Sequence, residues 1–124
     1  MSYWVYLKDK DGNMLQVPSH SEGGTRVMGG TTEAELNVTV NYYAQFVKVN
    51  LDFRERDSVG RNGKTAIHGK RAGDLIPQLK DAVKTLGTVR DDNYWSSTPG
   101  NAGFALSILL RWAELHPDGV FEVH

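Results

Sequence analysis

One segment constrains the fold more than any other. Thr98-Pro99 opens, and Pro117 closes, a stretch in which Ala102, Phe104, Ala105, Leu106, Ile108, Leu109, Leu110, Trp112, Ala113 and Leu115 leave little polar surface. Thr is a good helix N-cap, Pro is tolerated as the first helical residue, and a Pro just past the end stops the helix. A helix that is apolar nearly all round is buried on more than one side. This one is too short for a bilayer, which needs about 20 mostly apolar residues, and Ser107, Arg111 and Glu114 interrupt it. It is therefore the central helix of a globular domain or in part a subunit interface. The chain has 124 residues, one domain's length. The expectation is a single domain over residues 1–124, with a homo-oligomer covering what the chain leaves bare.

A second helix precedes it. Leu75, Ile76, Leu79, Ala82, Val83 and Leu86 share one face at helical spacing, Asp74 is the expected N-cap, Pro77 then falls in the first turn, and Gly87 is the stop. The front half reads as strand. Residues 3–7 and 14–17 flank the turn-forming run Asp9-Lys10-Asp11-Gly12-Asn13, which predicts a β-hairpin. Residues 18–24 read as a polar loop, and residues 25–28 as a short strand stopped by Gly29-Gly30. Ala34, Leu36, Val38 and Val40 alternate with polar residues at a period of two, the mark of a half-buried strand. Residues 41–51 fit either a helical turn and a strand or a strand alone. Residues 52–65 read as an exposed loop, and residues 120–123 as a last strand. The fold class expected is α+β: an antiparallel β-sheet from the N-terminal half packed against two C-terminal helices.

Composition excludes several functions. Lys+Arg is 14 and Asp+Glu is 15, a net charge of -1, which argues against an extended nucleic-acid surface. There is no cysteine, so disulfides, thiol catalysis and zinc-thiolate sites are out. The first nine residues acquire charge by Lys8, unlike a signal peptide; a cytoplasmic protein of a bacterial host, away from membranes, is expected. His20, His68, His116 and His124 are scattered, without the spacing of a metal site. His68 stands out only for the cations Lys64, Lys70 and Arg71 near it. The pairs Glu33/Glu35 and Asp91/Asp92 read as solvated acids. Without a nucleophile elbow or an acid–base pair, no catalytic residue, metal or cofactor is assigned.

The candidate binding residues cluster around the start of the last helix. Thr98-Pro99-Gly100-Asn101 combines an N-cap with a side-chain-free position, where free N–H groups and the helix dipole suit a phosphate or carboxylate. Arg90, Tyr94 and Trp95 lie just upstream, a cation and two aromatic faces that suit a base or ring. Asn41-Tyr42, at the end of the alternating strand, adds an amide and a phenol. Each feature also has a plain structural reading: an ordinary cap with small residues for tight packing, Trp95 packed under the helix start, aromatics covering a sheet edge. Arg54-Glu55-Arg56-Asp57 with Arg61 and Lys64 reads as a solvated loop.

Several motifs together carry a resemblance: Thr32-Glu33-Ala34-Glu35-Leu36-Asn37-Val38-Thr39-Val40-Asn41-Tyr42, Ile76-Pro77-Gln78-Leu79, Asp91-Asp92-Asn93-Tyr94-Trp95, Thr98-Pro99-Gly100-Asn101-Ala102 and His116-Pro117-Asp118-Gly119-Val120-Phe121. In these the chain resembles a family of small accessory proteins of phages, prophages and mobile elements. The resemblance implies a context and not a reaction. Two functions fit that context: a non-enzymatic protein sequestering a small anionic, nucleotide-derived ligand such as a host defence signal, or a homo-oligomeric interaction module that inhibits a host protein.

Overall fold

The computed structural model describes residues 2–22, 27–53 and 64–124. The architecture is α+β, with an antiparallel sheet and two C-terminal helices. Strand β1 (Ser2–Lys8) alternates as its sequence demands, with Tyr3, Val5 and Leu7 buried. It lies between β4 (Glu35–Thr39) and β7 (Val120–Val123), antiparallel to both. Its neighbours thus come from the middle and the end of the chain. Helices α2 (Ala72–Leu86) and α3 (Pro99–Leu115) pack antiparallel, and their buried faces meet the inner face of this sheet in one core.

The expected hairpin forms only at its tip. Asp9 Oδ1 accepts from the Asp11 and Asn13 amides, both at 2.9 Å, and those bonds hold its carboxyl below the usual carboxylate range, Asn13 contributing most. Leu15 N still donates to Leu7 O at 3.0 Å. Beyond that β1 is already flanked on both edges, so β2 (Gln16–Glu22) leaves it and pairs with β3 (Val27–Glu33). Residues 18–22 of the run expected to be a loop are therefore in β2, and β3 runs straight through Gly29-Gly30; residues 23–26, shared between the expected loop and the expected short strand, lie outside the described residues. What holds β2 is α3: His116 Nε2 meets Gln16 O at 2.6 Å, and the His20 ring lies 5.5 Å from that of Trp112.

The alternating segment is β4, but it is buried on both faces, with Asn37 and Thr39 inside along with Leu36 and Val38. After it the chain turns helical: a 3₁₀ turn at Val40–Tyr42, then α1 (Tyr43–Lys48). Phe46 stacks on Phe53 at 4.5 Å, with Tyr42 and Tyr3 edging in at 6.2 and 5.6 Å from Phe46 and Phe53 respectively. Strands β5 (Leu51–Asp52) and β6 (Thr65–Ala66) pair in parallel. Asp52 and Phe53 are buried, contrary to an exposed loop; the rest of that loop, residues 54–63, lies outside the described residues.

Helix α2 starts two residues before the expected cap. Arg71 is its N-cap, and Asp74 sits in the first turn with Pro77 inside the helix. The reason is tertiary: the Ala72 and Gly73 amides donate to Gly119 O and Pro117 O at 2.7 and 2.8 Å, which supplies acceptors a side-chain cap would otherwise provide. Arg71 adds an ion pair to Asp118 at 2.7 Å and one to Asp74 at 3.2 Å. Gly87 ends the helix with φ 75. In α3, Ala102, Ala105, Leu106, Leu109, Trp112 and Ala113 are buried, while Arg111, Glu114 and Leu115 are exposed. The chain itself thus covers most of this helix, with α2 and β2 against it.

At the other end of the helix pair the backbones nearly touch. A Cβ on Gly100 would overlap the Val89 carbonyl, and one on Gly103 would overlap the Gly87 carbonyl. Helix propensity favours Ala over Gly by about 1 kcal/mol. Here the sign reverses. Gly100→Ala and Gly103→Ala are each expected to destabilise the protein by roughly 2 kcal/mol or more through overpacking, measured by urea denaturation.

Candidate functional site

The eight residues singled out around the last helix come together in space. Residues 87–98, the connection from α2 to α3, cross the N-terminus of α3 and rest against the 3₁₀ turn and α1. Thr98 caps α3 as expected, its Oγ1 accepting from Asn101 N at 3.1 Å. Asn101 is 1% exposed. Its Oδ1 accepts from Asp91 N at 2.9 Å, and its Nδ2 donates to Asn93 O and Ser96 O at 3.1 and 3.0 Å. One amide thus pins the connection at three points.

The 3₁₀ turn and α1 hold the same segment from the other side. Asn41 Nδ2 donates to Trp95 O at 3.0 Å, Tyr42 Oη to Tyr94 O, and Gln45 Nε2 to Ser97 O at 2.9 Å. Gln45 went unnoticed in the sequence; its place one turn beyond Asn41-Tyr42 was the available signal. Within the segment, Asp91 and Asn93 each accept from the amide two residues on, at 2.8 and 3.1 Å, the usual turn chemistry of these residues.

Of the polar groups expected to meet a ligand, Asn41, Tyr42 and Asn101 therefore meet the backbone of residues 91–96, and Thr98 meets the Asn101 amide. The Asn41 and Asn101 amides, the Tyr42 phenol and the Thr98 hydroxyl all make intramolecular bonds, and the side-chain-free space at Gly100 holds the Val89 carbonyl. Of the remaining three residues, Trp95 is exposed while Arg90 and Tyr94 are half-buried. The Tyr94 and Trp95 rings lie 5.0 Å apart, and Arg90 Cζ stands 4.6 Å from the centre of the Phe104 ring. Trp95 is 42% exposed and Val89, which the sequence did not mark, is 86% exposed.

The histidines serve the frame. His68 Nδ1 accepts from Val123 N at 3.0 Å and helps close the free edge of β7, where Gly69 and Lys70 also bond to Phe121. Glu122 bonds Lys8 at 2.8 Å and His124 at 3.0 Å, and these partners, Lys8 first, hold its carboxyl below the usual range. Among the described residues no group of three or more His, Asp or Glu is placed to hold a metal ion, and no helix is long and apolar enough to cross a membrane. Arg54, Glu55, Arg56, Asp57 and Arg61 lie outside the described residues. Comparison of the chain with protein-family models, curated proteins and solved structures gave no match.

Two predictions separate framework from ligand contacts. Asn101→Ala removes the bonds to the Asp91 amide and to the Asn93 and Ser96 carbonyls, so it is expected to cost roughly 2–4 kcal/mol of stability without any ligand present, read by chemical denaturation. Burial pushes the Tyr42 phenol up to about 12 from 10.0, with Tyr94 adding to the shift. Below pH 10 both folded and unfolded chains keep this proton; between 10 and 12 only the folded chain does. Stability is thus intact below the lower value and is lost as pH rises, by roughly 2–3 kcal/mol for this group. Tyr42→Phe is expected to cost about 1 kcal/mol at neutral pH for the lost hydrogen bond and to flatten the alkaline slope measured from pH-dependent denaturation.

Proposed function

We propose that this chain is a non-enzymatic binding protein that presents residues 87–98 to a protein partner. The observation that carries this reading is a contrast inside one loop. Its backbone is tied down by Asn41, Tyr42, Gln45 and Asn101, while Val89 and Trp95 are exposed and Arg90 and Tyr94 are half-buried beside them. Trp, Tyr and Arg dominate the energetics of protein interfaces. Holding them in place beforehand lowers the ordering cost of association. Val89, at 86% exposure, contributes almost no burial to the chain's own core. In the setting the resemblance implies, the partner is a host protein that this surface inhibits.

Capture of a nucleotide-derived anion is the second reading. Arg90 over Phe104 beside the Tyr94–Trp95 ring pair supports it, since a base stacks on such faces. It ranks second because the amides and the cap hydroxyl it calls on are satisfied within the chain.

Val89→Asp and Trp95→Ala are surface changes, expected to shift the melting temperature by no more than about 3 °C. Proteins captured from a bacterial lysate by the native chain are identified by mass spectrometry and then titrated individually. Each variant is expected to weaken the true partner by roughly thirty-fold, the loss typical of an interface hot spot. A partner that both variants bind as tightly as the native chain refutes the loop as the surface. A nucleotide or sugar phosphate that raises the melting temperature of the native chain, and fails to do so with Arg90→Ala, would establish the second reading instead.

A further inference from the structure

Two places in the chain join aspartate to glycine: Asp11-Gly12 and Asp118-Gly119. The aspartate carboxyl carbon can be attacked by the backbone nitrogen that follows it, and glycine, without a side chain, does least to shield that nitrogen. The local chemistry of the two pairs is the same. The fold treats them differently.

Asp118-Gly119 is locked. The Asp118 carboxylate accepts from Arg71 Nη2 at 2.7 Å. Gly119 N donates to His116 O at 3.0 Å, and Gly119 O accepts from Ala72 N at 2.7 Å, so the glycine is held at both its backbone groups. Gly119 is buried, and a Cβ there would press on Leu7 and Leu15. Bringing its nitrogen onto the Asp118 carboxyl breaks these bonds together. Asp11-Gly12 lies instead in the exposed turn after β1. The Asp11 N–H goes to Asp9 Oδ1 at 2.9 Å, and its carboxylate has no hydrogen bond or ion pair among the described residues. Gly12 N keeps one bond, to Asp9 O at 3.1 Å. Open space surrounds Gly12 where a side chain would stand.

We propose that Asp11-Gly12 is a site of spontaneous aspartate isomerisation, and that Arg71 and the backbone bonds of Gly119 protect Asp118-Gly119 from the same reaction. The Gly12 nitrogen attacks the Asp11 side-chain carboxyl carbon. A C–N bond forms, and the carboxyl hydroxyl leaves with the amide proton as water, which gives a cyclic imide. Water then adds to one of the two imide carbonyls and one C–N bond opens. Opening at the side-chain carbonyl restores aspartate. Opening at the main-chain carbonyl leaves isoaspartate, with the main chain routed through the β-carbon. No oxidant, cofactor or second protein takes part. The added main-chain atom falls between the Asp11 and Asn13 amides, both of which bond to Asp9 Oδ1. This site is independent of the surface at residues 87–98.

The test ages the full chain at neutral pH, folded in buffer and unfolded in guanidinium chloride. Peptides are then mapped with a protease that cuts before aspartate and not before isoaspartate, and identified by mass spectrometry. Isomerised peptides keep their mass, which separates them from any deamidated at Asn62-Gly63. In the unfolded chain the two Asp-Gly pairs are expected to react at similar rates. In the folded chain Asp11 is expected to react at least about ten-fold faster than Asp118, because Asp118-Gly119 has more bonds to break. Asp11→Glu is expected to stop the reaction at that position, since the longer side chain closes its imide ring far more slowly. Arg71→Gln is expected to speed isomerisation of Asp118 in the folded chain and leave Asp11 unchanged; no change at Asp118 refutes Arg71 as its guard. Equal rates at the two pairs in the folded native chain overturn the proposal. So does an Asp11 that stays intact in the folded chain while the unfolded chain reacts.

Discussion

The Asn101 amide is the contact on which the helical half of the molecule depends. It sits one turn inside α3 with no access to water, and it must find partners for two N–H groups and a carbonyl oxygen within the fold. It finds them in Asp91, Asn93 and Ser96. Those partners exist only if the α2–α3 connection lies across the start of α3. That path in turn requires the two near-contacts at Gly100 and Gly103, where carbonyl oxygens take the space of side chains. A buried polar group with all its bonds made specifies one arrangement, since any other leaves it unpaired at a cost of about 1–3 kcal/mol.

The same constraint reaches the sheet. Tyr42 and Gln45 extend from the chain just after β4, and their bonds to Tyr94 O and Ser97 O fasten the end of that strand to the α2–α3 connection. Tyr42 also edges onto Phe46, which stacks on Phe53, which contacts Tyr3 of β1. At the far end of the helix pair the amides of Ala72 and Gly73 are taken by the segment leading into β7. Both ends of α2–α3 are therefore tied to strands of one sheet by hydrogen bonds, and the apolar faces between them close the core.

Features with local causes were legible in the sequence. Thr98-Pro99 starts a helix, Gly87 ends one, and the alternation of β1 marks its buried face, because a cap, a left-handed glycine and a pleat act within a few residues. Features with distant causes were not. Asp9 and Gly12 build the turn they suggest, yet the returning strand goes elsewhere because β4 and β7, distant in sequence, occupy the edges of β1. Residues 18–22 lack any strand pattern, since their support is α3, nearly a hundred residues later. Arg71 displaces Asp74 as the cap because Pro117 and Gly119 provide the acceptors. The candidate site shows the same division. That Asn41, Tyr42, Thr98 and Asn101 lie near one another was readable; that the partners of Asn41, Tyr42 and Asn101 are backbone groups of residues 91–96, and not a ligand, depends on the path of a connection that carries no periodic signal.

That path also explains why the outward residues differ from ordinary surface. Irregular connections usually gain freedom from their exposed backbone, and an exposed apolar side chain on such a loop averages over many positions. Here the carbonyls of residues 93–97 are held from two sides, so Trp95 and its neighbours keep a fixed spacing relative to α3. The fold gains nothing from exposing Val89 and Trp95, because their burial would add apolar contact that the chain forgoes. A rigid frame beneath exposed apolar groups loses little freedom on association, so the ordering cost that usually weakens a loop-borne surface is largely met during folding. The buried Gln45 and Asn101 amides hold in place a connection on which Val89 and Trp95 stay exposed.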